Sequence, residues 1–284
     1  MKLIILLFFI TLNTFAQVTF KSEYFAKDKL SRQRLSVQLP LSLKKYEDDP
    51  YQRMKIWAIS TDACFMKVRE HTSATPYEIM NLSAHLVHLR PLYNRWSLLM
   101  AMGIGTYTPA NRLSAMIWKE NVLGSGALLA IWHGSEHLQI GAGVAVSTLL
   151  GYPMAFPSAF AEYKSDTWNA WAKGNFLEGG SASIGYHFNE YFALNALADF
   201  SIYASFLRRN EQKAVFFTQH SIFGLQPEFI INKKIRIPLT IGVDLARTGT
   251  YKERQIKAFF TDNLGKTTEA KSSLYISVSV VLSR

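Results

Sequence analysis

The sequence predicts an all-β chain, an antiparallel up-and-down transmembrane β-barrel of about twelve strands with short turns at one end and longer loops at the other. Three observations carry that expectation. Long runs alternate apolar and polar residues, and short connections alternate with long ones. Beyond the N-terminal segment, no apolar stretch reaches the roughly 20 residues that a membrane-spanning helix needs.

The clearest alternation lies between Ser221 and Ala246. Ile235, Ile237, Leu239, Ile241, Val243 and Leu245 occupy one parity, while Arg236, Pro238, Thr240, Gly242, Asp244 and Ala246 fill the other. Upstream, Phe223, Leu225, Phe229 and Ile231 share a parity opposite Gln226 and Glu228, and Asn232-Lys233-Lys234 makes a short polar turn. Successive strand side chains point to opposite faces, so this is a hairpin with one oily and one polar face. Leu274, Ile276, Val278, Val280 and Leu282 repeat the pattern against Tyr275, Ser277 and Ser279.

Taken in order, a weakly alternating strand is expected over 17–24, from Val18, Phe20, Ser22 and Tyr24. A clear one follows at Leu35, Val37, Leu39, Leu41 and Leu43, and another over 51–60. Thr61 to Tyr77 reads as an irregular connection. Strands resume over 80–87 and 96–105 and, after a loop over Thr108 to Glu120, over 122–132, which is apolar on both parities. Leu138 to Ser147 alternates again, and Gly151 to Asn175, rich in aromatic and small residues, reads as the longest connection. Further strands cover 182–188 and 192–205, then the two halves of the hairpin and the terminal strand. Arg208 to Lys213 and Arg247 to Lys271 read as charged loops. Trp96, Trp132, Phe188 and Phe192 crowd the short-turn ends, as one aromatic girdle at headgroup depth would. Pro227 and Pro238 each remove a ladder hydrogen bond, and a bulge near the turn is expected to absorb them.

A sheet in lipid must close on itself, because an unpaired backbone group there costs several kcal/mol. The competing fold, a soluble sandwich, has strands of about 5–6 residues, about half the length of these runs. Of the 284 residues, 49% are hydrophobic and 18% charged, which excludes disorder. Lys2, the apolar Leu3 to Ile10 and the small residues of Thr14-Phe15-Ala16 form a signal peptide over residues 1–16, leaving 17–284 as one barrel. Cys64 is the single cysteine, so no intrachain disulfide forms. The net charge of +10 comes without a basic helix or aromatic-basic module, so no nucleic acid is expected as partner. Anionic headgroups, or a solvated basic rim, account for it.

With this patterning, the export segment and the strand Leu274 to Leu282, the chain resembles the outer-membrane β-barrels of Gram-negative bacteria. Among them it looks most like functionally uncharacterised barrels known as domains of unknown function. The resemblance implies an outer-membrane location, short periplasmic turns, and a surround of outer-membrane lipids and lipopolysaccharide. It also implies insertion by the outer-membrane assembly machinery. Such barrels commonly end in an aromatic residue, whereas this chain reads Leu282-Ser283-Arg284.

By parity, the polar lumen-facing candidates are His85, His187, Asp199, His220, Glu228, Arg236 and Asp244. Pairing across the turns sets Asp199 opposite Ser181, His187 opposite Ala193, and Asp244 opposite Ile222 with His220 on the next diagonal. A Ser-His-Asp relay would then need strands that are not neighbours. His133 and His137 flank a turn, His85 and His88 point to opposite faces, and His71 stands in a connection, so no zinc-ligand spacing is met. Gly103-Ile104-Gly105, Gly124-Ser125-Gly126 and Gly141-Ala142-Gly143 lie within strands and precede no helix, which excludes phosphate loops. No catalytic, cofactor or metal site is expected. Three functions remain open: passage of small solutes or a structural membrane role, a hydrolase with a lumen or rim site, and a barrel that binds or adheres through loops such as 151–175 and 247–271.

Overall fold

Alternation along most of the chain produces strands that pair with their sequence neighbours, β15 alone pairing with β13 and β1. The computed structural model describes residues 16–27, 29–46, 48–51, 53–68, 76–109, 121–148, 153–175, 179–209, 212–232, 234–253, 268–270 and 272–283. The expected signal peptide and His71 lie outside them. In order the strands are β1 (Gln17–Phe25), β2 (Leu30–Lys45), β3 (Met54–Val68), β4 (Glu78–Pro91) and β5 (Trp96–Thr108). Next come β6 (Val122–His133), β7 (Leu138–Ser147), β8 (Met154–Lys164), β9 (Trp168–Asn175) and β10 (Gly179–His187). The last are β11 (Phe192–Arg209), β12 (Gln212–Ile231), β13 (Ile235–Glu253), β14 (Thr268–Ala270) and β15 (Ser273–Ser283).

Every pairing is antiparallel, and β1 pairs with β15 from Gln17↔Ser283 to Phe25↔Tyr275, which closes the ring. The wall has fourteen staves, because β14 only extends the β15 side of β13 past its upper end. The expected count of about twelve is therefore two short. The missing pair is β8 and β9, which occupy the stretch expected to be the longest connection. β3 likewise continues to Val68 through residues expected to be irregular, and β13 continues to Glu253.

The connections 46–53, 92–95, 134–137, 165–167, 188–191 and 232–234 gather at the end where β1 starts and β15 finishes. All are short, and all but 165–167, which falls within the stretch expected to be the longest connection, were expected as short turns. The opposite end mixes long connections, such as 109–121 and 254–267, with ones of four, three and two residues at 26–29, 176–178 and 210–211. Gly179, at φ 93°, opens β10 with a backbone that side-chain-bearing residues rarely adopt.

The outward parity carries the exposed apolar residues, among them Met102, Ile104, Leu128, Ile184, Leu225 and Ile241. Around the turn end, Trp168, Tyr186, Phe188, Phe192 and Phe229 touch ring to ring in sequence at 5.0–5.7 Å, and Trp96 pairs directly with Trp132. The prolines are accommodated without a bulge: Leu225↔Ile241 and Glu228↔Pro238 keep one register. The register shifts lie elsewhere, between His220 and Ile222 in β12 and between Pro40 and Ser42 in β2.

Alternation lapses at the upper ends of β11 and β12. Tyr203, Ala204, Ser205 and Phe206 are all buried, as are Ala214, Val215 and Phe216. A hairpin buried on both faces is folded over the lumen rather than standing in the wall. Its inner side joins Leu123 and Phe156 from the far wall in one apolar cluster. Asn121 donates from its side-chain amide to the carbonyls of Tyr107 and Phe206, at 3.1 and 3.2 Å, tying β5 to the hairpin. A second cluster of Phe25, Leu30, Cys64, Met66, Val68, Ile79, Tyr203, Phe216, Ile222, Tyr251 and Tyr275 fills the same end of the barrel.

Candidate functional site

Below that apolar plug the lumen is charged, and β1 and β2 supply the centre. Their tight hairpin pairs Glu23 with Arg32 and Lys21 with Arg34. Arg32 donates to Glu23 through Nε and, at 2.9 Å, through Nη2. Arg34 donates to the same carboxylate at 2.9 and 2.8 Å, and the Tyr275 hydroxyl donates at 2.6 Å. Lys21 Nζ stands 3.2 Å away. Arg32 is fully buried, its guanidinium carbon 5.2 Å from the Phe25 ring and 4.6 Å from the Tyr203 ring. A buried guanidinium needs a partner of this quality, since desolvation otherwise disfavours it by several kcal/mol. This cluster is absent from the candidates expected from sequence. Its signal was present all the same: Lys21-x-Glu23 and Arg32-x-Arg34 are mirrored about the turn at 26–29.

Beneath Glu23 lies a chamber of about 640 Å³. Lys21, Arg34, Lys173 and Asp199 are its charged lining, with Ser36, Ser158, Ser181, Ser201 and Ser279 among the polar groups and Leu129, Phe160 and Trp171 on the apolar side. Asp199 stands opposite Ser181 in the β10–β11 register, and Arg34 reaches it from across the lumen.

The other candidates fall into separate places. Glu228 Oε1 lies 3.3 Å from Arg236 Nη1, and Glu228 Oε2 accepts from Asn195 at 3.1 Å, low in the barrel. His187 Nε2 is 2.9 Å from the Asn169 amide, and His187 faces Ala193 across the pair. His85 Nε2 is 3.1 Å from Ser125 Oγ, and Gly103 is the residue whose missing Cβ leaves room for the His85 ring. His88 takes the outward face, stacked on Trp57 at 3.9 Å.

His220 and Asp244, expected on a diagonal without contact, are brought together. The shift at Ser221 puts His220 Nδ1 2.7 Å from Asp244 Oδ2, while the Ser221 backbone N–H donates to Oδ1 at 2.9 Å. The dyad is buried: His220 is 0% exposed and lies behind Phe25 and Tyr203, at ring distances of 4.8 and 6.1 Å. Its arrangement holds the bulge and the plug in place. Among the described residues no group of His, Cys, Asp and Glu could hold a metal ion.

A family profile described as a domain of unknown function, DUF6268, matches residues 12–282. The chain belongs to the DUF6268 family. No curated protein matches it in sequence. Among solved structures, this DUF6268 chain is similar to a KdgM porin at a TM-score of 0.39 and 6% identity, covering 94% of this chain and 99% of that one. It is also similar to the outer membrane protein Omp33 of Acinetobacter baumannii at 0.45 and 10%, covering 95% and 98%. A NanC porin gives 0.40 and 7%, covering 93% and 98%. Likeness this distant carries nothing about what a DUF6268 barrel does.

Proposed function

We propose that the mature chain, freed of residues 1–16, is an integral outer-membrane barrel of a Gram-negative cell that passes small polar solutes. In this reading the β11–β12 hairpin closes its outer mouth. The observation that carries it is a chamber of about 640 Å³, lined by charged and hydroxyl side chains together with apolar ones, inside a closed wall whose outer face is apolar. A barrel serving only as a scaffold could fill its lumen with packed side chains, as small barrels do. Here the filling is confined to one end and is made of a hairpin and side chains, which can move while the wall stays intact. The outward Ile, Leu and Val band suits acyl chains, and the aromatic chain at the turn end suits the headgroup boundary. Outer-membrane lipids and lipopolysaccharide surround the protein in this reading, and the outer-membrane assembly machinery inserts it.

Planar-bilayer recording tests the proposal. Wild-type protein is expected to give small, infrequent openings. A variant in which residues 205–216 are replaced by a two-residue turn is expected to give larger, sustained ones. Folded barrels of both kinds that give no channels would remove solute passage and leave the structural role.

A further inference from the structure

On β2, Arg32, Arg34 and Ser36 face the lumen, so an unbroken strand would send Lys44 there as well. The register shift between Pro40 and Ser42 prevents this. It adds Leu41, 59% exposed, as the extra residue and turns Ser42 onto the outer face opposite Trp57. Lys44 then lies opposite Lys55 on that face, and the Ile56↔Leu89 rung sets Arg90 beside Lys55 in turn. Three exposed cations thus stand abreast on neighbouring staves, where like charges directly opposite one another are destabilising. The row continues without charge, as Leu98 on β5 and Ala130 on β6.

Neighbouring carboxylates do not neutralise the row. Asp49 is held by Arg53, and among the described residues no carboxylate lies within ion-pair distance of Lys44, Lys55 or Arg90. Asp62, higher on β3, turns to the lumen and accepts from Ser36, while Glu78 at the far end of β4 meets Lys67. Counting every charge from Lys44 to Lys55 and from Arg90 to Trp96, six cations stand against three carboxylates. On the next outward rung toward mid-strand, Trp57 stacks on His88 at 3.9 Å, and His88 Nδ1 lies 2.9 Å from the Ile56 carbonyl. A pinned indole beside a row of cations suits the boundary between headgroups and acyl chains.

We infer that Lys44, Lys55 and Arg90 hold the phosphate of an anionic phospholipid, whose acyl chains run over Trp57 and the rung of Leu39, Ile59 and Leu86. The inference rests on the outer-membrane reading, in which the short turns face the periplasm and the adjoining leaflet is phospholipid. Arg90 offers planar donors suited to a phosphate edge, the lysines act as point charges, and Ser42 supplies a hydroxyl. An anion laid across the row removes the repulsion between its members.

The test uses the full mature chain refolded in uncharged detergent with equimolar phosphatidylglycerol and phosphatidylcholine, then weighed intact by native mass spectrometry. A second sample carries lipopolysaccharide in place of phosphatidylcholine. Phosphatidylglycerol is expected to be retained in preference to either competitor. Affinity for it should fall about tenfold or more in Lys44→Gln/Lys55→Gln, the usual worth of two basic residues near an anionic lipid surface. Lys164→Gln/Lys234→Gln removes the same charge from exposed sites elsewhere at the turn end and should leave retention unchanged. Arg90→Gln, read in the same way, keeps the test decisive if the first double variant fails to fold. Equal retention of the two phospholipids, equal losses in the two double variants, or preference for lipopolysaccharide overturns the site and leaves the barrel reading intact. A folded chain that stays monomeric in buffer without detergent would remove the membrane reading, and the site with it.

Discussion

Arg34 Nη2 lies 3.8 Å from Asp199 Oδ2, although β2 and β11 stand five staves apart around the ring. One long side chain thus spans the lumen at the floor of the plug. Above it lie the apolar clusters, and below it lies the chamber with its charged and hydroxyl side chains. The same guanidinium also holds Glu23, so the crossing is braced from its own wall.

Removing the carboxylate at that brace should be severe. Glu23→Ala leaves Arg32 buried without its partner, and the expected loss of stability is about 3–5 kcal/mol. Denaturant unfolding in detergent, followed by tryptophan fluorescence, measures it. A midpoint equal to wild type would mean that the plug hydrates its charges when Glu23 is missing.

The bulge at Ser221 depends on one carboxylate receiving two donors. Asp244→Ala removes the acceptor that meets His220 Nδ1 and the Ser221 N–H, at an expected cost of about 1–3 kcal/mol. A double-mutant cycle with His220→Phe should return a coupling of about 0.5 kcal/mol or more, and additive effects would show that the contact contributes nothing.

Outward positions should sense lipid by depth. Ile241 sits mid-strand on the outer face at 60% exposure, and Ile241→Arg is expected to cost about 2–4 kcal/mol in vesicles. Tyr93, 84% exposed in a turn, should accept arginine within about 1 kcal/mol. Equal penalties at the two sites would argue against a lipid-facing wall.

At the turn end Asp49 accepts from Arg53 Nε at 2.6 Å and from the Tyr51 N–H at 3.1 Å, and Arg53 Nη1 donates to the carbonyls of Leu92, Asn94 and Trp96. Burial pushes the Asp49 carboxyl up, but the bonds from Arg53 and Tyr51 outweigh it and hold the group below the ordinary aspartate value. A depressed carboxylate stabilises fully above its unfolded value, near 3.8, and loses that contribution as pH falls through the lowered folded value. Hydrogen-exchange protection at the 92–95 turn, taken relative to the intrinsic rate at each pH, should therefore be unchanged from pH 7 to 5 and fall below the ordinary carboxylate range. In Asp49→Asn that protection should be low throughout. A wild-type profile identical to that of the variant would dismiss the clamp.

The expected register survives in detail where strands line a wet lumen: Asp199 does face Ser181, and Ile231 does meet Ile235. Legibility failed where the lumen is oily. Met154, Phe156 and Phe160 point inward toward the hairpin and apolar wall, so β8 shows apolar residues on both parities and resembles a loop. Cys64, Met66 and Val68 did the same to the upper half of β3, and Ala214 to Phe217 to β12. Alternation reports a difference between two faces, and it vanishes when a plug makes both faces apolar. The His220–Asp244 contact was hidden for another reason: a single extra residue shifts one rung, and nothing in the local composition announces it. The charged cluster was overlooked because its members flank a strand with weak apolar contrast, although their mirrored spacing was legible.

Gln17 meets Ser283, so the ring's final joint links its first stave to its last. A polypeptide still being made cannot fasten that joint, and each earlier intermediate carries two raw edges ready to pair with a neighbour. The wall closes only in one late event, once β15 has been made. A product cut short before β15 would therefore be an adhesive ribbon rather than a narrower tube.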